Sequence, residues 1–266
     1  TLKSIEVICI NDASSDGSEN ILRTFSKSEP RLRIIENSRN LGAAYSRNKG
    51  IAAANGEFLR FLDADDLLPL ESTQMMYERA IEDDVDLVRG SLALFNGNRP
   101  DKYQNIISVP NKKRTMLSTE KCLWIPWWHT SYLISSELVH RNRLRYPILI
   151  RGEDPVFMTS VLLKAQYITL VEDLVYLYRK YPKTSGSGGS TIKHVKDTFK
   201  HAVITKRLFT EENPKYWDQG YGPFLMDDMR KFLNRCQLKP ETWQLADSET
   251  KRIWGVETLR EKKTES

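Results

Sequence analysis

Cysteine is scarce in this chain and poorly placed for cross-linking. Cys9, Cys122 and Cys236 are odd in number and far apart, with no Cys-x-x-Cys spacing. That argues against a disulfide framework or a zinc site and for a reducing, cytoplasmic compartment. Cys9 lies in an apolar run and is expected in the core as a small hydrophobe. No run of about 18 apolar residues exists, so no transmembrane helix is expected. No internal repeat is visible. The chain also lacks an initiating methionine and a signal-peptide pattern. It begins at Thr1 and enters a strand almost at once, as a fragment whose start lies upstream would.

What is present suits a globular α/β protein. The 266 residues, 40% hydrophobic and 28% charged, can build one large domain or a core domain with an extension. The net charge of +5 fits a phosphate-bearing partner or an anionic membrane surface, and equally a solvated basic face.

The apolar pattern alternates strand and helix. Ile5–Ile10 reads as a buried strand that breaks at the turn-rich Asn11–Ser18. A helix with Ile21, Leu22 and Phe25 on one face follows, then a strand around Leu32–Ile35. A small-residue helix is expected from about Ala43 to Ala54, stopped by Asn55-Gly56 as a left-handed cap. The next run is a strand, so the rhythm implies βαβ units and a parallel sheet. Val85–Phe95 and Tyr103–Val109 read as strands that pair across the Asn96-Gly97-Asn98 turn. Trp124, Trp127, Trp128, His129 and Tyr132 either line a groove for sugar rings or seal the core.

The chain is organised around Gly56-Glu57-Phe58-Leu59-Arg60-Phe61-Leu62-Asp63-Ala64-Asp65-Asp66. Its apolar half ends in three carboxylates, which cannot stay unpaired inside a sheet. The run must surface there, and in open α/β sheets ligands collect beyond the carboxyl ends of strands. Asp63 and Asp65 can share a hard cation such as Mg²⁺ or Mn²⁺. The competing reading is a cap for a helix starting near Pro69. A second acidic pair, Glu153-Asp154, opens an apolar helix and suits the positive end of its dipole. Ser185–Ser190 reads as a flexible Gly/Ser loop, and from Val195 onward the pattern is helical and charged.

In order, Asn11-Asp12-Ala13-Ser14-Ser15-Asp16-Gly17-Ser18, Asn40-Leu41-Gly42 with Arg47-Asn48, and Gly56-Glu57 through Asp63-Ala64-Asp65-Asp66 resemble the inverting family 2 glycosyltransferases with a GT-A fold. Glu153-Asp154 with Phe157 is similar to the family's later acidic motif, and Tyr178-Arg179 with Ser190 to its closing segment. The similarity spans about residues 4–192. It implies a GT-A domain over 1–192 and a helical extension over 193–266. The fold class implied is α/β, a Rossmann-like, mostly parallel sheet flanked by helices. The family's first strand is absent, so this stretch alone is expected to leave the sheet incomplete.

The resemblance implies transfer from a nucleoside-diphosphate sugar, commonly UDP-linked, with inversion. Asp65 would hold Mn²⁺ or Mg²⁺ against the diphosphate, with Asp63 on the ribose or the metal. Asp12 would accept from the base, or else serve as an Asx-turn or cap. Arg47, Arg179 and Ser190 would meet the diphosphate, Arg47 otherwise being an exposed helix residue. His194 would close over the diphosphate or complete the metal shell, or simply be solvated. Asp154, with Glu153 as partner or alternative, would be the general base for the acceptor hydroxyl. The two acidic clusters are expected on opposite sides of one cleft. Expected acceptors are glycans or lipid-linked glycans of a bacterial envelope polysaccharide pathway, with no nucleic acid partner. The lysines and aromatics after Val195 either pack on the domain or give peripheral contact at the inner membrane face. A sugar nucleotidyltransferase and a non-catalytic carbohydrate-binding domain are the rival readings.

Overall fold

The structure is a computed structural model that describes residues 2–97, 102–180, 192–235 and 238–260. The chain forms two compact units. The first draws on Thr1–Met116, Trp128–Ile148 and Lys164–Lys180; the second on Leu117–Trp127, Leu149–Leu163 and the chain from Tyr181 onward. Two segments from within residues 1–192 thus join the C-terminal helices.

In the first unit β1 (Val7–Asn11) and β2 (Leu32–Glu36) pair in parallel, Val7 opposite Leu32 and Asn11 opposite Glu36, across helix α1 (Ser18–Ser26). This pair is a sheet of its own among the described residues. Its small surface leaves α1 with nothing buried: Ile21 and Phe25, the expected inner face, are 59% and 61% exposed. Cys9 is half-buried rather than sealed in a core, and that burial pushes its thiol pKa up.

The larger sheet holds β3 (Phe58–Arg60), β4 (Leu87–Asn96), β5 (Tyr103–Ile107), β6 (Lys112–Thr115), β7 (Tyr132–Ser135) and β8 (Ile168–Lys180). Its order is β3-β7-β4-β8-β6, with β5 against β4. The sheet is mixed rather than mostly parallel: only β4–β8 is parallel, and β3–β7, β7–β4, β4–β5 and β6–β8 are antiparallel. Local pairing explains part of this, because β4 and β5 are sequential and antiparallel neighbours need no crossover helix. β4 and β5 pair as expected, with Phe95 opposite Tyr103 and a register shift between Leu92 and Leu94.

Helix α2 (Ala43–Ala53) ends differently from expectation. Ala54 turns extended and Gly56 has no positive φ. The Glu6 carboxylate accepts from the backbone N–H groups of Asn55 and Gly56 instead, so a side chain stops the helix. Helix α3 (Ser72–Asp83) begins after Pro69, with Glu71 left-handed before it. Met76 and Ala80 on α3 pack on Val88 and Leu92 of β4, Leu133 of β7, and Val171, Val175 and Tyr176 of β8.

One irregularity interrupts the β4–β8 pairing in this core. Gly90 to Leu92 is two steps along β4, while their partners Val171 and Tyr176 are five steps apart on β8. Because side chains alternate faces, an odd surplus reverses which face each later β8 residue meets. A Cβ on Gly90 would lie 2.3 Å from Val175, so the bulge closes only over glycine.

The second unit contains α5 (Glu153–Leu162), α6 (Ile192–Glu212), the single turn α7 (Pro214–Tyr216), a π-helical turn at Trp217–Tyr221, α8 (Gly222–Arg235) and α9 (Pro240–Trp254); α4 (Ser136–Arg141) belongs to the first. Its core is aromatic: Trp124 meets Tyr216 at 5.3 Å and Trp217 stacks on Trp254 at 6.1 Å. Phe199, Phe209, Trp217 and Tyr221 are buried here, so these rings pack on their own unit rather than presenting to a membrane. No helix among the described residues is long and apolar enough to cross a membrane. Of the aromatic stretch, Trp124, His129 and Tyr132 are buried.

Candidate functional site

Beyond β3 the chain leaves the sheet edge and turns at once, the Asp66 N–H donating to the Asp63 carbonyl at 3.1 Å. Asp66 is 6% exposed and anchors the turn. Its carboxylate accepts from the Tyr176 hydroxyl at 2.6 Å and the Arg179 backbone N–H at 2.7 Å. The Tyr176 hydroxyl in turn accepts from the Asp63 N–H at 3.2 Å, and Leu67 and Leu177 exchange two backbone bonds. Burial, above all, raises the Asp66 carboxyl pKa to about 6; its two donors pull it down, and the charges of Asp65 and Asp63 push it further up. Burial likewise drives the Tyr176 phenol well above its ordinary value, so it remains a donor.

Asp63 and Asp65 are thereby held at the surface. Asp63 forms an ion pair with Arg47 at 2.9 Å, and Asp65 is exposed. Arg179 reaches the same turn through its Nε, which donates to the Asp65 carbonyl at 2.6 Å, while its guanidinium lies over Phe95 at 4.7 Å.

Arg47 is placed by the residues behind it. The Asp12 carboxylate accepts from the backbone N–H groups of Leu41 (2.9 Å) and Gly42 (2.8 Å) and from the Asn37 amide (2.8 Å). Gly42 is the N-cap of α2, so Asp12 fixes the start of the helix that carries Arg47. Burial works to raise the Asp12 carboxyl pKa, but these hydrogen bonds outweigh it and the net shift is downward. The turn after β1 is closed by Asn11, whose side-chain oxygen accepts from the Ser14 N–H. Asn48 locks α2 from the other side by two 2.8 Å bonds to the Tyr146 backbone, and the Arg47 guanidinium lies 5.5 Å over the Tyr146 ring.

In the second unit Glu153 and Asp154 occupy the first turn of α5, half-buried, after Gly152 at φ +85°. Ile150 donates its N–H to Asp197 at 2.9 Å, and Arg151 pairs with Asp228 at 3.1 Å across the Phe232 ring. Gly152 lies against the buried His201, whose Nε2 is 3.0 Å from the Tyr221 hydroxyl. His194 is half-buried in the first turn of α6. Ser190 and Cys236 lie outside the described residues.

The structure thus gathers Asp12, Arg47, Asp63, Asp65 and Arg179 in one unit, and Glu153, Asp154 and His194 in the other. Tyr176 and His201 were missed by the sequence reading, and Asp66 was read only as part of its motif. The available signals were a phenol within the apolar run at residues 174–177 of β8 and a histidine on the buried stripe of a helix. Among the described residues no three His, Cys, Asp or Glu side chains gather as a ready-made cation site. The donor set still fits Mg²⁺ or Mn²⁺, since such ions take one or two protein carboxylates and fill the rest with water and phosphate oxygen.

Comparison with known proteins bears on the family and the fold. The model of the family described as glycosyl transferase family 2 matches residues 1–135, just over half of the chain, from β1 to the end of β7. The uncharacterized glycosyltransferase EpsJ of Bacillus subtilis is 29% identical over 191 residues, 69% of this chain and 55% of that protein. The chain spans about half the length of the curated relatives it matches first. TarS of S. aureus, solved with UDP-GlcNAc, superposes with a TM-score of 0.68 at 18% identity, over 93% of this chain and 72% of that one. The Pyrobaculum calidifontis mannosyltransferase PcManGT, solved with GDP-Man and Mn²⁺, gives 0.58 at 19% identity, over 91% and 66%. These likenesses give the chain a GT-A fold, and with half of its length matched it belongs to glycosyl transferase family 2.

Proposed function

We propose that this chain is the catalytic domain of a metal-dependent inverting glycosyltransferase. It moves a sugar from a UDP-linked donor to a hydroxyl of a glycan or lipid-linked acceptor. The observation that carries the reading is the turn after β3, where Asp66, Tyr176 and Arg179 are spent on the backbone. Asp63 and Asp65 are left at the surface with Arg47 beside them.

Asp65, with Asp63, would hold Mn²⁺ or Mg²⁺. The ion supplies Lewis-acid stabilisation of the charge that grows on the departing diphosphate. Arg47 and Arg179 add fixed positive charge to the turn, and the solved relatives complexed with UDP-GlcNAc and with GDP-Man and Mn²⁺ support the donor class. Asp154 takes the proton of the acceptor hydroxyl as that oxygen bonds to the anomeric carbon and the bond from carbon to diphosphate oxygen breaks. The charge Asp154 carries before the step is favoured by the α5 N-terminus. Glu153 stands next to it in the same turn.

Calorimetric titration of UDP into the full-length protein, with and without Mn²⁺, tests the donor half. Binding is expected only with metal and is expected to vanish in Asp65→Ala; unchanged binding by that variant would remove the metal role. Hydrolysis of a panel of nucleotide sugars identifies the donor. Asp154→Asn should retain UDP binding and lose turnover, and normal turnover would take the base role from Asp154.

A further inference from the structure

The three residues before Glu153-Asp154 are each held from beneath. Ile150 is tied to Asp197 of α6 and Arg151 to Asp228 and Phe232 of α8. Gly152 has no side chain to tie; it lies on a ring. A Cβ there would fall 2.2 Å from His201 Nδ1 and 2.4 Å from Cγ, far inside contact distance. Its φ of +85° independently favours glycine. The backbone that launches α5 is therefore laid against the imidazole, with no room for another atom.

The ring is itself fixed. His201 is 2% exposed, its Nε2 meets the Tyr221 hydroxyl, and that hydroxyl accepts from Trp127 Nε1 at 2.8 Å. Gly220 and Gly222 let the π-helical turn carrying Tyr221 close: a Cβ at either would meet Trp124 or Trp217 at 2.7–2.8 Å. Among the described residues His201 Nδ1 is buried with no hydrogen-bond partner. Such orphans are rare and call for a reason beyond stability, since an apolar ring could fill the space without the desolvation cost. Burial pushes the imidazole down to about 3, with Asp154 opposing and Arg151 reinforcing that shift, so the ring stays neutral beside the acidic pair.

We propose that His201, held in plane by Tyr221 and Trp127, is the positioning residue for Asp154: it is the surface on which Gly152 rests, and so it sets the direction in which the first turn of α5 presents its carboxylates. The inference rests on the reading of Asp154 as the base, and it extends that reading to a residue that does not touch substrate. A displacement of about 1 Å in a catalytic group can cost on the order of 100-fold in rate. The support must therefore be stiff, which a ring locked at one edge provides and a flexible side chain does not.

The test uses the full-length protein and four substitutions. His201→Phe keeps a flat ring and loses the bond to Tyr221; Tyr221→Phe leaves the histidine and removes its partner. Leu233→Ala, in the buried face of α8, controls for general loosening of the unit. Asp154→Asn is combined with each of the first two. Amide hydrogen exchange is expected to rise at least tenfold over residues 150–154 in His201→Phe and Tyr221→Phe, and no more there than elsewhere in Leu233→Ala. Turnover of UDP-GlcNAc and the other common UDP-sugars should fall about 10- to 100-fold in kcat, with UDP affinity in Mn²⁺ held within twofold. The double variants should be no slower than Asp154→Asn alone, because a residue acting through another adds nothing once that one is gone. Unchanged exchange over 150–154, or losses that multiply in the double variants, would overturn the positioning role. Full turnover by Asp154→Asn would instead overturn the base assignment, and the exchange measurement would still decide whether His201 orders the turn.

Discussion

Replacing Tyr176 by Phe removes one oxygen that makes two hydrogen bonds: 2.6 Å to the Asp66 carboxylate and 3.2 Å from the Asp63 N–H. A hydrogen bond to a charged group contributes about 1.5–3 kcal/mol. The Asp63 backbone is half-exposed, so water can replace its share, and the loss at pH 7.5 should be about 2–3 kcal/mol. The size must depend on pH. The bond is strong because it stabilises a charge, and Asp66 titrates at about 6. At pH 5 it is mostly protonated, the bond is an ordinary one of about 0.5–1.5 kcal/mol, and the penalty should shrink by about 1 kcal/mol or more. Urea unfolding in metal-free buffer at the two pH values, with the slope of stability against urea held common, measures the difference. An equal loss at pH 5 and 7.5, or a loss below about 0.5 kcal/mol at both, would show that Asp66 is not held as described.

Two further expectations concern the same carboxylates. Asp66 has a raised folded-state pKa, so it contributes stability that is whole below about 4 and is lost as pH climbs through 6; the shift from 3.8 to about 6 corresponds to roughly 1–3 kcal/mol after allowance for solvent. Asp66→Asn should flatten that part of the stability curve, and a slope between pH 4 and 6 identical to wild type would refute the assignment. Asp12 has the opposite sign: its depressed pKa means stability present above about 4 and lost as pH falls through its folded value. Asp12→Ala should cost about 2–3 kcal/mol in urea unfolding at pH 7, since two backbone N–H groups and an amide lose their acceptor, and a loss within about 0.5 kcal/mol would mean that the loop before α2 does not depend on it.

Much of the fold could be read because local signals agreed. The apolar run from Phe58 cannot continue past Asp63 inside a sheet, and the strand does end at Arg60. Asn96-Gly97 announced the β4–β5 pairing. What could not be read depends on partners far away in sequence. Nothing near Gly56 indicates that Glu6, about 50 residues earlier, would stop α2, or that Asp66 would meet Tyr176 110 residues later. The surplus in β8 at the Gly90 bulge falls at the exposed pair Glu172-Asp173, whose charges mark a break in the apolar run but do not say which strand it faces. The rhythm of strand and helix suggested a parallel sheet, yet β7, a four-residue strand between β3 and β4, makes both neighbours antiparallel. The stripe of α1 was correctly seen as apolar, but apolar spacing states only what a helix could bury, not that a partner is there.

The same distinction sorts the aspartates of the site, which the sequence presents as equals. A carboxylate has about four places to accept a hydrogen bond. Asp12 has committed three of its places to two backbone N–H groups and an amide, and the buried Asp66 two to a phenol and a backbone N–H, so a cation at either would compete with the bonds that build its loop. Asp63 is partly committed, to an arginine that can swing away from one oxygen. Asp65 contributes its backbone carbonyl to Arg179 and keeps its carboxylate at the surface. On the proposed reading, structural and chemical duties are divided between neighbours in one turn. The buried Asp66 fixes the backbone so that the exposed Asp65 need not spend binding energy on ordering itself. A third carboxylate in the motif has that structural use: Asp66, through Tyr176 and the Arg179 N–H, holds the turn that carries Asp63 and Asp65.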